Sequence, residues 1–129
     1  MRIGEVAAAT GTTTKTLRFY EQAGLLQAAE RTSVGYRRYA PDVVERLHFI
    51  RRSQAAGLTL AQIRTILEIR DAGRAPCAHV EKLLADRLEE IDRQITELRE
   101  LRATVATLHG AATDPDPDSC TPETICRYL

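Results

Sequence analysis

The sequence has no long hydrophobic run, no excess of charge of either sign and few cysteines. Its apolar runs are far shorter than the roughly 20 residues that cross a bilayer, so we expect no membrane span. The N-terminus, Met1-Arg2-Ile3-Gly4-Glu5, lacks the features of a signal peptide, so we expect a cytoplasmic protein. Three cysteines in an unexported chain of 129 residues predict reduced thiols and not a disulfide framework.

Catalytic motifs are missing as well. The sequence contains no GxSxG nucleophile motif, no phosphate-binding P-loop, no HExxH zinc motif and no Cys–His pair in an enzyme-sized scaffold. We therefore expect a protein that is not an enzyme. Its length fits one domain, or one small domain with an extension.

The neutral net charge hides an uneven distribution. Residues 1–76 contain twelve Lys or Arg and seven Asp or Glu, whereas residues 77–129 contain six and eleven. A basic half joined to an acidic half indicates a polyanion-binding module that carries a second function. The excess is modest, so it supports nucleic-acid binding only together with a suitable fold.

Two short helices separated by Gly11 are predicted near the N-terminus. The first covers residues 3–9, and the second runs from Lys15 to about Gln22, after a threonine cap and before Gly24. Two helices joined by a tight turn within this length have the dimensions of a helix-turn-helix. The segment Val34–Tyr39, which mixes tyrosine and arginine, predicts a small β-ribbon or wing.

Three further helices follow. The first two, Asp42 to about Ala56 and Leu60 to about Ile69, carry core-facing apolar stripes. No Gly or Pro occurs in residues 77–109, and 33 helical residues would span about 50 Å. The apolar residues of this segment follow heptad spacing with one short step: Leu84, Leu88, Ile91, Ile95, Leu98, Leu101, Val105 and Leu108. A single amphipathic helix cannot bury such a stripe, so we expect it to pair with the same helix of a second copy. The alternative is a helix that packs back on its own N-terminal domain, but about 50 Å exceeds the width of a domain of about 70 residues.

The three cysteines lie at the two ends of this long helix. Cys77 is at its start, and Cys120 and Cys126 follow its end. In an antiparallel dimer, Cys77 of one chain would lie near the other two cysteines of its partner. Soft d¹⁰ ions prefer thiolate ligands, and a helix N-terminus favours the thiolate form of Cys77. His79 is either a further ligand or a solvent-facing residue, and the alternative to a metal site is a Cys120–Cys126 disulfide with Cys77 buried.

The predicted DNA contacts lie on the second helix and in the wing. Side chains on a recognition helix meet the major groove and the flanking phosphates, and wing residues can donate to phosphate oxygens. The predicted set is Thr13, Lys15, Arg18, Tyr20, Tyr36, Arg37 and Arg38. Tyr39 is expected in the core, whereas Arg51 and Arg52 are either phosphate anchors or ordinary surface residues.

These patterns predict a mainly α fold in four parts. A winged helix-turn-helix DNA-binding domain covers residues 1–70, and a linker covers residues 71–76. A dimerisation helix that forms an antiparallel coiled coil covers residues 77–110, and a metal-binding loop covers residues 111–129.

Several segments resemble the MerR family of bacterial transcription regulators. They are Ile3-Gly4-Glu5-Val6-Ala7, Thr16-Leu17-Arg18-Phe19-Tyr20-Glu21, Gly24-Leu25-Leu26, Gly35-Tyr36-Arg37-Arg38-Tyr39, Leu47-His48-Phe49-Ile50 and Gly57-Leu58-Thr59-Leu60. The resemblance implies a homodimer that binds a palindromic operator within an over-long promoter spacer. It further implies that the effector changes the angle between the heads, which distorts the DNA so that RNA polymerase engages both promoter elements. It assigns DNA contacts to Arg18, Tyr20, Tyr36 and Arg37.

The resemblance also indicates a class of metal ion. A cysteine at the position of Cys77 looks like the mark of sensors for divalent mercury, zinc, cadmium or lead, whereas sensors of copper(I), silver and gold carry serine there. A third thiolate adds negative charge that suits a 2+ ion. The five residues between Cys120 and Cys126 make a shorter loop than copper or zinc sensors have. Three thiolates look most like a trigonal mercury site.

Mercury(II) is therefore favoured narrowly over zinc(II), cadmium(II) and lead(II). Zinc usually requires four ligands, of which His79, a carboxylate of the tail or water would supply the last. Two other functions remain open: a thiol-based redox or electrophile sensor on the same DNA-binding scaffold, and a constitutive DNA-bending protein whose cysteines are incidental.

Overall fold

The N-terminal part of the chain combines helices with a short antiparallel ribbon. The computed structural model describes residues 1–27, 30–35 and 37–129, and it describes Arg37 by its backbone alone. The helices are α1 (Ile3–Thr10), α2 (Thr14–Gln22), α3 (Val43–Ala55) and α4 (Leu60–Asp71). Strands β1 (Glu30–Arg31) and β2 (Arg37–Arg38) pair with Glu30 opposite Arg38. The predicted mainly α fold is confirmed.

Threonine caps begin two of these helices. Thr13 accepts a hydrogen bond from the backbone N–H of Thr16 at 3.1 Å, at the start of α2. Thr59 forms a capping box with Gln62 at the start of α4, in which each side chain accepts from the other residue's backbone N–H. Such caps satisfy N–H groups that the first helical turn leaves without partners, and each contributes about 1 kcal/mol.

One hydrophobic core joins these elements. Its buried residues include Val6, Leu17, Tyr20, Leu25, Leu26, Tyr39, Val43, Leu47, Ile50, Leu58, Ile63, Ile66 and Leu67. Complete burial of one such aliphatic side chain contributes about 1.5–3 kcal/mol. The expectation that Tyr39 belongs to the core is confirmed, because only 3% of it is exposed.

A buried arginine of α3 connects the turn after α2 to the end of α4. Only 5% of Arg46 is exposed, and its Nε donates to the carbonyl oxygen of Leu25 at 2.7 Å. The two terminal nitrogens of its guanidinium donate to the carboxylate oxygens of Asp71 at 2.8 and 2.9 Å. This hydrogen bond from Arg46 lowers the pKa of Asp71 below its ordinary value of 3.8. Such fork-to-fork pairs are the stronger kind of charged hydrogen bond.

The longest helix is α5 (Cys77–Ala112). It extends two residues beyond Gly110, where the sequence predicted its end. Glycine costs about 1 kcal/mol in a helix interior without blocking the backbone hydrogen bonds, and two alanines follow it. A 3₁₀ helix (Pro117–Ser119) lies in the tail that follows. No helix in the described ranges is long and apolar enough to cross a membrane.

The chain divides into two compact units, Met1–Arg87 and Leu88–Leu129. In the first unit, Val80 and Leu83 of α5 pack partly buried against the core. The structure describes every residue of α5, and none of them is buried. Six of its large apolar side chains are 41–64% exposed: Leu84, Leu88, Ile95, Leu98, Leu101 and Val105.

Arg87 of α5 contacts the turn between α3 and α4. Its Nε donates to the carbonyl oxygen of Ala56 at 3.3 Å. The next residue, Gly57, has φ +86°, and a Cβ atom built on it would lie 2.5 Å from that Nε. The left-handed backbone favours glycine at this position, and the Arg87 guanidinium would have to move to admit a Cβ atom.

We expect Gly57→Ala to destabilise the protein by about 2 kcal/mol. Roughly 1 kcal/mol comes from placing a side chain at positive φ, and the remainder from displacing Arg87 and its hydrogen bond. The measurement is urea unfolding at a fixed protein concentration.

Gly73→Ala is the matched control for that prediction. Gly73 has φ +81°, but a Cβ atom there meets no atom within 4 Å, so the variant adds only the backbone strain. Equal losses in the two variants would show that the contact of Arg87 with Gly57 contributes nothing.

We expect Asp71→Asn to reduce stability at neutral pH and to have less effect in acid. The lowered pKa means that the ionised carboxylate contributes stability above pH 3.8, and that this contribution disappears as the pH falls through the folded-state pKa. The Asp71 side chain is 37% exposed, and solvent screening limits the contribution to about 1 kcal/mol. Urea unfolding between pH 7 and pH 2.5 should therefore show the two proteins converging below pH 4. Parallel curves would contradict this assignment.

Candidate DNA-binding surface and metal site

The first two helices form a helix-turn-helix. Helix α1 ends at Thr10, and the N–H groups of Gly11 and Thr12 both donate to the carbonyl oxygen of Ala7. Three residues later α2 begins with its Thr13 cap. Every residue of this turn is thus held by the ends of the two helices, which fixes the direction of α2.

Arg51 of α3 holds the same turn from the other side. Its guanidinium donates to the carbonyl oxygen of Thr10 and, at 2.8 Å, to the hydroxyl of Thr12. The sequence left Arg51 open between a phosphate anchor and a surface residue, and the structure shows a third role, positioning the turn. Sequence periodicity contains no signal for a contact between residues about 40 positions apart.

Helix α2 separates a buried face from an exposed face. Leu17 is fully buried and Tyr20 is 8% exposed, whereas Lys15 and Arg18 are exposed. Residues three and four apart share a helix face, so both basic side chains point away from the core. This outer face presents the positive charge that a duplex phosphate backbone attracts.

Tyr20 has a structural role as well. Its ring is part of the core, and its hydroxyl donates to Oε1 of Gln54 on α3 at 3.1 Å. Its predicted contact with DNA stays a prediction. The predicted set omitted Phe19, which is 51% exposed on the outer face. The helical period was the available signal, because burial of Leu17 and Tyr20 turns Phe19 outward.

The wing is fixed to the helices at its base. The backbone of Tyr39 donates to the carbonyl oxygen of Met1 at 2.7 Å, and its hydroxyl donates to Glu21 of α2 at 2.8 Å. Arg38 is exposed and pairs through its backbone with Glu30 and Arg2. Tyr36 and the Arg37 side chain lie outside the described residues, so their predicted contacts stay predictions.

Cys77 is the first residue of α5. It is exposed, follows Pro76 and carries a free thiol. The unpaired N–H groups and the positive dipole end of a helix N-terminus stabilise a nearby anion such as a thiolate. His79, two residues further along α5, is partly buried. The placement fits the predicted ligand role of Cys77 and does not test it.

Cys120 and Cys126 lie in a tail that folds on itself. The backbone N–H of Arg127 donates to Sγ of Cys120 at 3.3 Å. Because that nitrogen is bonded to Cys126, backbone geometry brings the Cys126 Cα within about 6 Å of the Cys120 sulfur. Both thiols are free. The fold of the tail thus brings two residues with free thiols near each other.

The described part of the chain contains no group of three or more His, Cys, Asp or Glu side chains positioned to hold a metal ion. The predicted site takes Cys77 from one protomer and Cys120 and Cys126 from its partner, so this single chain does not test it. The donor set itself, three free thiols, fits a soft divalent ion. The predicted metal ligands stay a prediction.

Two family models match the chain. One, described as MerR HTH family regulatory protein, matches residues 1–69. The other, described as MerR, DNA binding, matches residues 44–108. Together they cover the helix-turn-helix, the wing, α3, α4 and most of α5.

Individual proteins are similar over most of their length. The mercuric resistance operon regulatory protein of Bacillus cereus is 38% identical over 107 residues, 83% of this chain and 81% of that protein. A probable heavy metal-dependent transcriptional regulator of Haemophilus influenzae is 35% identical over 120 residues, 93% of this chain and 94% of that protein.

A solved structure agrees with the fold over the same range. The crystal structure of the transcription regulator PbrR691 from Ralstonia metallidurans CH34, in complex with lead(II), matches with a TM-score of 0.79 and 32% identity, over 93% of this chain and 94% of that chain. The family models and these proteins are regulators, which confirms that the chain is not an enzyme. The chain belongs to the MerR family of DNA-binding transcriptional regulators.

Proposed function

We propose that the protein is a homodimeric transcriptional regulator that senses a divalent, thiophilic metal ion and activates a metal-resistance promoter. The observation that carries the proposal is the placement of three free thiols. One lies at the start of α5, and two lie beyond its end in a tail that is closed by its own hydrogen bonds. The heads bind operator DNA, the long helix joins two copies, and the thiols of both copies hold the ion.

The dimer follows from the surface of α5. Six large apolar side chains on this helix are 41–64% exposed: Leu84, Leu88, Ile95, Leu98, Leu101 and Val105. Heptad-spaced apolar residues are buried when two helices pair. An antiparallel pair brings the α5 start of one protomer to the tail of its partner, so two equivalent thiolate sites form per dimer.

The DNA-binding surface consists of the outer face of α2 and the wing. Lys15 and Arg18 are exposed on α2, next to the Thr13 cap, and Arg38 is exposed on β2. Tyr20, Tyr36 and Arg37 complete the proposed contacts. Arg51 and Tyr39 hold the turn and the wing in place behind this surface.

Mercury(II) is the favoured effector, ahead of zinc(II), cadmium(II) and lead(II). Three thiolates with no further ligand satisfy a trigonal soft ion, whereas zinc requires a fourth donor. Among the similar proteins, one is named for mercuric resistance and one was crystallised with lead(II). When bound, the ion links Cys77 of one protomer to Cys120 and Cys126 of its partner. The heads then change their relative angle and distort the over-long promoter spacer so that RNA polymerase engages both promoter elements.

A redox sensor is the second candidate function. The short distance between the Cys126 backbone and the Cys120 sulfur favours it. In this case the two thiols would be oxidised to a disulfide by a peroxide, which is reduced to water or an alcohol and water, and Cys77 would not take part.

We expect Cys77→Ser to weaken mercury(II) binding more than about 100-fold, because loss of a ligand exceeds the effect of losing a supporting contact. Metal-dependent transcription in vitro should be lost, and operator binding without metal should be unchanged. The measurement is a metal-by-metal transcription series with the stoichiometry per dimer.

The same series separates the two candidates. The redox sensor would be favoured by a Cys77→Ser protein with a normal transcriptional response to hydrogen peroxide, together with a Cys120→Ser protein that has lost this response. A wild-type protein on its promoter that responds to neither agent would reject both.

We expect Arg18→Ala to weaken operator binding by about 5- to 100-fold, the effect of losing one arginine contact to a base or phosphate. Fluorescence anisotropy at one fixed salt concentration measures the affinity, because phosphate contacts are strongly salt-dependent. Arg102→Ala is the control of equal charge change, since Arg102 is exposed on α5 outside the first unit. Equal losses in both variants would remove Arg18 from the proposed surface.

A further inference from the structure

The tail is closed by two hydrogen bonds that join its beginning to its end. The backbone N–H of Asp116 donates to the hydroxyl of Tyr128 at 3.0 Å, across twelve residues. Inside this bond, the backbone N–H of Arg127 donates to Sγ of Cys120 at 3.3 Å, across seven residues. Both cysteines of the tail therefore lie within the loop that Tyr128 closes.

The first arm of this loop is rigid by itself. The Asp116 carboxylate accepts from the N–H of Asp118 at 3.0 Å, and its carbonyl oxygen accepts from the Ser119 hydroxyl at 2.7 Å. The backbone of Cys120 donates to Pro117 and ends the 3₁₀ helix. Asp116 is thus the anchor that orients the backbone leading to Cys120.

The second arm contains a local turn of its own. Between the cysteines, the N–H and the hydroxyl of Thr124 donate to the carbonyl oxygen of Thr121, which closes one turn. Ile125 and Leu129 are fully exposed, whereas Tyr128 is partly buried. The Arg127 guanidinium lies 5.6 Å from the centre of the Tyr128 ring. Tyr128 therefore makes the side-chain contact that attaches the end of the chain to the first arm.

The contact of Tyr128 with Asp116 affects how much conformational entropy the tail loses when an ion binds. Fixing one backbone residue costs about 1–2 kcal/mol in conformational entropy, and a loop ordered beforehand avoids part of that cost on binding. Without the Tyr128 hydroxyl, the end of the tail would still be joined to Cys120 by the N–H of Arg127, but more of the order around Cys126 would have to come from the ion itself.

We propose that Tyr128 is a positioning residue for the metal site: its hydroxyl closes the tail on Asp116 and thereby sets the distance between Cys120 and Cys126. The inference rests on the proposed metal-sensing function for its purpose, but the positioning of the two thiols can be measured without metal. Tyr128 is not itself a ligand in this account.

The first test measures mercury(II) affinity of the full-length Tyr128→Phe protein by competition with a small dithiol, followed by mercury–thiolate absorbance. We expect affinity to fall by about 2- to 10-fold, the effect of one hydrogen bond, with an unchanged spectrum because the same three thiolates bind. Operator binding should be unaffected. Tyr39→Phe is the matched control, since it removes a hydroxyl in the first unit and should leave metal affinity unchanged.

The second test needs no metal and uses the Cys77→Ser background, so that only the tail thiols react. Oxidised glutathione converts the Cys120–Cys126 pair into a disulfide and is itself reduced to two glutathione thiols, and the equilibrium constant reports the effective concentration of one thiol at the other. We expect Tyr128→Phe to lower this equilibrium constant by about 2- to 10-fold, as for the metal affinity. Arg127→Ala keeps the backbone donor to Cys120 and should change it less.

The outcomes separate the two hypotheses. An unchanged equilibrium constant in Tyr128→Phe would overturn the positioning role, whatever the metal result. A lowered constant in a protein whose wild-type form binds no metal would retain the positioning role and reject the proposed metal sensor. A changed absorbance spectrum in Tyr128→Phe would also overturn the inference, because it would mean that the hydroxyl is a ligand.

Discussion

The N-terminal unit depends on the hydrogen bonds that the buried guanidinium of Arg46 makes. This guanidinium joins α3 to the carbonyl of Leu25, just after the helix-turn-helix, and to Asp71, the last residue of α4. Without these acceptors, the donors of a side chain that is only 5% exposed would be left without partners, which destabilises the fold. The pair therefore fixes both the exit from the DNA-binding helices and the point from which the chain continues to Cys77.

The same unit contains the first turns of α5. Val80 and Leu83 pack against the core, and Arg87 reaches the backbone of the α3–α4 turn at Ala56 and Gly57. Close-packed contacts of this kind transmit displacement, because protein interiors are poorly compressible. Under the proposed function, a change in the position of α5 at Cys77 would act on α3, whose Arg51 holds the turn of the helix-turn-helix.

Local patterns in the sequence were sufficient for the helices and insufficient for the contacts between them. Helical period, threonine caps and glycine stops predicted α2 and α4 to within two residues at each end. The end of α5 was predicted two residues too early, at Gly110, because glycine lowers helix stability without preventing a helix. The roles of Arg51 and Tyr128 depend on partners about 40 and twelve positions away, and no periodic pattern encodes such pairs. The cysteine spacing predicted a metal site, which stays a prediction.

The two hydrogen bonds that close the tail make the closure of the loop independent of which side chains occupy residues 121–125. Both donors are backbone N–H groups, at Asp116 and Arg127, and the acceptors are Tyr128 and Cys120. The five residues between the cysteines supply neither donor nor acceptor to these bonds. Substitutions in residues 121–125 can therefore accumulate without opening the loop. Under the proposed metal-sensing function, substitutions in this segment would change the surroundings of the two thiols, whereas the hydrogen bonds on either side of it would keep the loop closed.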